Sequence, residues 1–305
     1  MKIIDFKNQS QPDPYIIYCG GKYYIYCTGF DGVHCYESDD LFKGWKYFGK
    51  VLSVEGQKEY WAPSVIELDG KFYMYYSSMP FAEEDAHKQN IKVAVCDTPC
   101  GEFSFVKDLL EPFSIDAHVV KNDDGLYIFY SINDYEADKA GTFIVCDKMK
   151  DPFNVFGEPK AMVRPTLEEE IFQKDRFKKG QDWYTIEGAF YFKKDDWHYL
   201  IYSANSYLKP EYHLGYAVCK SKSEKLNQLD FKKISEKEFL PLLTGNSLET
   251  STGHNSMIEL GGNYYLVYHG RDASASETSE FSTDNRTARI CRLIVSSGVL
   301  KTVEM

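Results

Sequence analysis

The sequence contains no apolar run long enough to cross a bilayer, and its first residues, "MKIIDFKNQSQPDPYIIYCGG", lack the hydrophobic stretch of a secretory leader. Both absences make a soluble, cytoplasmic protein with no membrane partner the expectation. Basic charge is also short: 35 Lys and Arg stand against 46 Asp and Glu, a formal net charge of −11. Such a chain has no field to hold a phosphate backbone, which excludes nucleic acid as the expected partner. Cysteine pairs of the metal-binding kind are missing. Only Cys96 and Cys100 stand close together, and nothing supplies the second half of a zinc site. Cys19, Cys27, Cys35, Cys146, Cys219 and Cys291 fall inside strand-like runs, so all eight thiols are expected to be free. The sequons at Asn8 and Asn285 carry little weight without secretion. Metalloprotease, dinucleotide and P-loop signatures are absent, and so are the Trp-Asp repeats of protein-binding scaffolds. No low-complexity tract or Pro/Gly-rich linker divides the chain, so residues 1–305 are expected to be one domain.

What the chain has in abundance is aromatic side chains. Its 24 Tyr and 20 Phe sit in segments that alternate apolar and polar residues, as half-buried strands do, which points to an all-β protein. Five of these segments are versions of one pattern: "DPYIIYCGGKYYIYCTG" from residue 13, "APSVIELDGKFYMYYSS" from 62, "DAHVVKNDDGLYIFYSI" from 116, "EGAFYFKKDDWHYLIYSAN" from 187 and "HNSMIELGGNYYLVYHGR" from 254. Each is a short apolar strand, a tight turn and a Tyr-rich strand. The starts lie 49, 54, 71 and 67 residues apart, which leaves room for two more strands per copy. Five four-stranded units make a five-bladed β-propeller with a central funnel, whereas two β-sandwiches would leave the recurring hairpin unexplained. The longer spacings contain "RPTLEEEIFQKDRFKKGQDW", residues 164–183, and "RDASASETSEFSTDNRTAR", residues 271–289. The first is too charged for a core strand; it reads as a solvated loop, or a wall beside the pocket, with a short helix from Thr166 onward.

Alignment of the copies from first residue to turn brings Asp13, Ala62, Asp116, Glu187 and His254 to one equivalent position. In a propeller such positions converge on the axis, so four ionisable groups are expected to meet there. Three carboxylates in a narrow pocket cannot all ionise at their ordinary pKa values. One protonated and one ionised carboxyl is the equipment of glycoside hydrolysis, with a third carboxylate to orient the acid. The aromatic wealth suits the same substrate, since sugar C–H faces pack on rings. Trp61, beside Ala62, is a candidate for the funnel rim or else a core tryptophan.

These residues resemble glycoside hydrolase family 43, the propeller enzymes acting on xylose- and arabinose-containing glycans. The segments "DPYIIYCGGKYYIYCTG", "ESDDLFKGW", "WAPSVIELDGKFYMYYS", "IDAH", "IEGAFYF" and "GHNSMIEL" look like the family's motifs in the expected order. The resemblance implies that Asp13 is the general base, Glu187 the general acid and Asp116 the carboxylate that tunes and orients Glu187. It also implies inversion at the anomeric carbon, with acid and base carboxyls roughly 6.5–9.5 Å apart to admit a water. His254 matches a near-axis histidine that in many members contacts a hydrated cation, often calcium; a structural hydrogen-bonding role is the alternative. No cofactor is required for the chemistry. Arg271 and Arg286 fall where the family can supply a substrate-binding arginine, the alternative being a solvated surface residue. The first-blade motif of fructan-hydrolysing propellers is absent, and no basic cluster stands in sequence beside Asp13 or Glu187 for phosphorolysis. The chain stops at Met305, where larger members add a β-sandwich, which weakens assignment as a β-xylosidase. A missing leader favours imported oligosaccharides, so exo-action on short xylo- or arabino-oligosaccharides is expected. The alternatives are an endo-acting arabinanase or xylanase and a non-catalytic sugar-binding propeller. The sequence carries no expectation of oligomeric state.

Overall fold

The computed structural model describes residues 1–4, 9–274 and 285–305, so Asn8 and most of the 271–289 insertion lie outside the described residues. Five antiparallel blades follow one another along the chain, the third and fourth joined into one sheet by a short parallel pairing of Gly141 and Thr142 with Tyr184 and Thr185. Blade one holds Tyr15–Cys19, Lys22–Cys27, Val33–Ser38 and Lys46–Leu52; blade two holds Gln57–Leu68, Lys71–Pro80, Asn90–Cys96 and Ser104–Asp108. Blade three holds Ile115–Asn122, Gly125–Asp134 and Gly141–Asp151, its outer layer split between Asn154–Val155 and Lys160–Val163. Blade four holds Trp183–Lys194, Trp197–Ala204, His213–Lys220 and Lys232–Lys233; blade five holds Glu249–Leu260, Asn263–Asp272, Thr287–Ser296 and Val299–Val303. The first strand of each blade touches that of the next, and the fifth touches the first. The architecture is the five-bladed propeller that the repeat predicts.

The core is divided accordingly into five apolar clusters, one in each gap between blades. Strand Lys22–Cys27 shows why the Tyr-rich segments recur. Tyr24 and Tyr26 pack toward blade two, while Tyr23, Ile25 and Cys27 pack toward blade five. Successive side chains of a strand point to opposite faces, and here both faces are covered. The second strands are therefore buried on both sides, not half-buried as the alternation suggests. Each fully buried aliphatic or aromatic side chain contributes about 1.5–3 kcal/mol, so the wedge-shaped gaps reward large flat rings.

Closure uses the N-terminal residues. Met1 and Ile290 exchange hydrogen bonds in both directions, each 2.8 Å, and the amide of Ile3 donates to the carbonyl of Ala288 at 3.0 Å. Ile4 then enters the gap between blades five and one.

The 164–183 insertion carries the expected short helix but is not simply a solvated loop. It forms one 3-10 turn, Glu168–Glu170, and a short strand, Ile171–Gln173, that pairs with Trp183 and Tyr184. Glu170 is buried in an ion pair with Lys233 and accepts the amides of Thr166 and Leu167 at 2.7 and 3.0 Å. Of the three consecutive glutamates in this helix only Glu170 is buried, and its ion pair offsets the cost of burying a carboxylate.

Candidate active site

At the start of each blade the backbone enters the left-handed region, at Asp13 (φ 53°), Ala62 (43°), Asp116 (59°), Gly188 (63°) and His254 (48°). Two residues further on, Tyr15, Ser64, His118, Phe190 and Ser256 take matching places in their ladders, opposite Tyr26, Tyr75, Phe129, Ile201 and Val267. The position equivalent to Asp13 in blade four is therefore Gly188, and Glu187 stands one residue earlier, level with Trp61 and Ile115. The sequence alignment was out by one here. A Cβ at Gly188 would come within 3.2 Å of both His254 Nδ1 and Ser203 Oγ, which leaves glycine as the fitting residue. Bulges of this kind re-aim side chains, and both rows end in one pocket.

Non-glycine residues in the left-handed region carry strain of about 1–3 kcal/mol, and three members of a second ring of polar residues offset it. Thr28, Ser77, Ser131, Ser203 and His269 stand at matching register in or just after the second strands, the hydroxyls of Ser77 and Ser131 without a hydrogen-bond partner. Thr28 Oγ1 accepts the amide of Ala62 at 2.8 Å, Ser203 Oγ that of His254 at 2.7 Å, and His269 Nδ1 that of Asp13 at 3.1 Å. In each case one blade holds the bulge of the next. At Gly188 the amide donates instead to Asp116 Oδ2, at 3.0 Å.

The pocket so formed, about 90 Å³, is lined by Asp13, Thr28, Trp61, Ile115, Asp116, Glu187, Tyr207, Tyr212, His254 and Arg286. Asp13 occupies its compensated side. Thr28 Oγ1 donates to Asp13 Oδ2 at 2.5 Å, and Oδ1 lies 3.3 Å from Arg286 Nη1, 3.4 Å from His254 Nδ1 and 3.2 Å from His269 Nδ1. Burial raises the cost of charging Asp13, yet His254, Arg286 and His269 together hold its carboxyl well below the usual carboxylate range. Burial also disfavours both imidazolium forms, and His269 falls to about 4. At neutral pH the standing positive charge beside Asp13 is therefore Arg286.

Asp116 and Glu187 are less compensated. Burial lifts Glu187 to about 7; the hydrogen bond from Tyr212 Oη to Glu187 Oε1, 2.8 Å, pulls down, the Asp13 charge pushes up and the Arg286 charge pulls down. Burial, Glu187 and Asp13 raise Asp116 well above the ordinary range against the Gly188 amide. The two carboxyls form a coupled pair that retains at least one proton at neutral pH.

The structure thus brings Asp13, Trp61, Asp116, Glu187, His254 and Arg286 to one pocket and leaves Arg271 outside its lining. The Arg271 guanidinium binds the Tyr207 carbonyl at 2.6 Å and Asn285 Oδ1 at 2.9 Å, so it positions Tyr207, whose ring lies 4.6 Å from the Arg286 guanidinium carbon. Sequence reasoning missed Thr28, Tyr207, Tyr212 and His269. Thr28 and His269 had a signal, the polar residue closing each Tyr-rich strand; Tyr207 and Tyr212 had none. The basic neighbours of Asp13 come from the fifth blade, which is why no cluster is visible beside it in sequence.

Beneath the pocket an axial cavity of about 10 Å³ is lined by His254, Asn255 and Ser64 among others. Both amide atoms of Asn255 and the hydroxyl of Ser64 are buried without a protein partner. Neutral oxygens are donors of the class calcium takes, so the residues fit a single ion or water at that point.

Comparison with known proteins bears on this geometry. The family model Glycosyl hydrolases family 43 matches residues 6–299. A solved structure described as an endo-1,4-beta-xylanase from Bacteroides thetaiotaomicron is 29% identical, covering 97% of this chain and 94% of that one with a TM-score of 0.77. A β-xylosidase of Xylanibacter ruminicola is 30% identical over 149 residues, 41% of this chain and 46% of that protein. An extracellular exo-alpha-(1->5)-L-arabinofuranosidase of Cellvibrio japonicus is 25% identical over 86% of this chain and 79% of that protein. Matches to curated relatives are partial: that to the xylosidase and that to a Streptomyces avermitilis arabinofuranosidase each span 46% of the relative's length.

Proposed function

The chain belongs to glycosyl hydrolases family 43, and from that premise we propose that residues 1–305 form one catalytic unit, an inverting, exo-acting hydrolase that releases single xylose or arabinofuranose residues from oligosaccharides. The observation that carries the reading is the opposed proton affinity of carboxyls lining one pocket: Asp13 held ionised, Asp116 and Glu187 holding a proton.

In this reading Asp13 accepts a proton from the attacking water while Glu187 delivers one to the departing glycosidic oxygen. Asp116 acts on Glu187. Its bond to the Gly188 amide holds the backbone adjoining the acid. Arg286 keeps Asp13 ionised in the free enzyme, and Trp61 and Tyr207 offer rings to the sugar. A pocket of about 90 Å³ is small beside an oligosaccharide, which favours a single terminal residue there. A calcium ion facing Asn255 and Ser64 would add positive charge at the axis; the proton transfers do not pass through it.

The test is proton NMR of anomeric signals in a mixture of xylo-, arabino- and arabinoxylo-oligosaccharides from the first minutes of reaction. A free pentose of inverted configuration is the expected product. Retained configuration overturns the mechanism, oligosaccharide products overturn exo-action, and an unchanged mixture with folded protein overturns the hydrolase reading.

A further inference from the structure

One residue of chain separates the funnel from a larger hollow. Ile115 lines the funnel, while Ser114 and Phe113, immediately before it, line a cleft of about 610 Å³ between blades two and three. Its other walls include His87, Asn133 and Tyr135. The wall continues beyond the cleft as an aromatic cluster. Tyr135 lies 5.9 Å from Phe177 and 5.0 Å from Trp183, and His87 lies 5.9 Å from Phe113 and 6.0 Å from Phe177. Trp183 is buried and meets Phe177 edge-on at 5.2 Å, and the Arg176 guanidinium packs within 5.3 Å of both rings. This foundation holds two rings in the open, Tyr135 at 47% exposure and Phe177 at 51%.

The rings come from separate stretches of chain. Phe177 is carried by the 164–183 insertion, in the turn closed by the bond from the Arg176 amide to the Gln181 carbonyl. Neighbouring exposed rings on a supported base mark a surface that gains by being covered. The apolar C–H faces of sugar rings match them, and Asn133 and Lys88 stand beside them to meet hydroxyl groups. In the exo-acting reading the funnel takes one residue and the remainder of the chain leaves past its rim; the cleft lining starts at Ser114, the residue before Ile115.

We propose that the cleft lined by Phe113 and Tyr135, continued by Phe177 in the adjoining aromatic cluster, binds the leaving-group side of the glycan whose terminal pentose occupies the funnel, so that the protein selects oligosaccharides over short glycosides. This rests on the exo-acting reading above.

The experiment compares wild type with the Tyr135→Ala, Phe177→Ala double variant and with Phe177→Trp. For each, kcat/KM is measured on a linear pentasaccharide and on an aryl pentoside. The ratio of the two is expected to fall about tenfold in the double variant, through KM for the long chain, and to be largely kept in Phe177→Trp. An unchanged ratio in a double variant that melts like wild type overturns the cleft assignment. A parallel arm measures calorimetric affinity for tri- to hexasaccharides in a Glu187→Gln background. Affinity that grows with chain length only while both rings are present supports the cleft even if wild type cleaves no pentoside, a result that would remove the hydrolase reading alone; length-independent affinity overturns the cleft.

Discussion

The two sides of the funnel carry the same kind of group at the same place in the repeat, and they hold protons in opposite ways. Asp13 and Asp116 both begin an inner strand with left-handed backbone, φ 53° and 59°. Asp13 faces Arg286, His254, His269 and Thr28; Asp116 faces a backbone amide and a second carboxyl. The residue type supplies the oxygen atoms, and the blades facing it decide whether they are charged. The consequences for stability also have opposite sign. Asp13, with its depressed pKa, contributes stability above its unfolded value of 3.8 that is lost as pH falls. Glu187, raised from 4.5 to about 7, keeps a proton that the unfolded chain releases, so its contribution favours folding at low pH and diminishes as pH rises through about 7.

The most severe way to break the comparison is to neutralise the ionised side. Asp13→Asn is expected to lower kcat by about 10²–10⁴ while substrate affinity changes little; turnover close to wild type removes Asp13 as the base. Neutralising the protonated side should be substrate-dependent. Glu187→Gln is expected to lose about 10²–10⁴ on natural oligosaccharides and markedly less on aryl glycosides with good leaving groups, which need little protonation. Equal losses on both substrates would exclude Glu187 as the acid.

The smallest effect should come from Tyr212→Phe, which sharpens the comparison by removing a hydrogen bond that favours ionised Glu187. With Glu187 near 7, activity of the wild type is expected to fall as pH rises through about 7. In Tyr212→Phe that basic limb should move to higher pH, with kcat at its optimum reduced severalfold. A limb that stays in place or moves down would show that Tyr212 does not tune the acid.

Much of this protein was legible in one dimension. The five hairpins announce themselves because each blade buries its own strands through local pairing, and the alternation of faces on strands such as Lys22–Cys27 is written directly into the order of residues. The carboxylates were legible for the same reason: they stand at fixed distance before a recurring turn. Glu187 was placed one position off because blade four carries its carboxylate one residue before the left-handed position, which Gly188 occupies; the bulge itself is shared with blades two and five. In residues 164–183 the burial of Glu170 was not legible, because its partner Lys233 lies in a distant strand, Lys232–Lys233.

The amino-acid order alone determined the number of blades, the acidic funnel and the residues at its mouth, since these follow from local periodicity repeated five times. Only the tertiary structure decided which carboxyl is charged. Arg286 stands 273 positions from Asp13 and meets it only because the last blade closes against the first. Charge interactions depend on distance in space and on burial, and neither is a property of sequence separation.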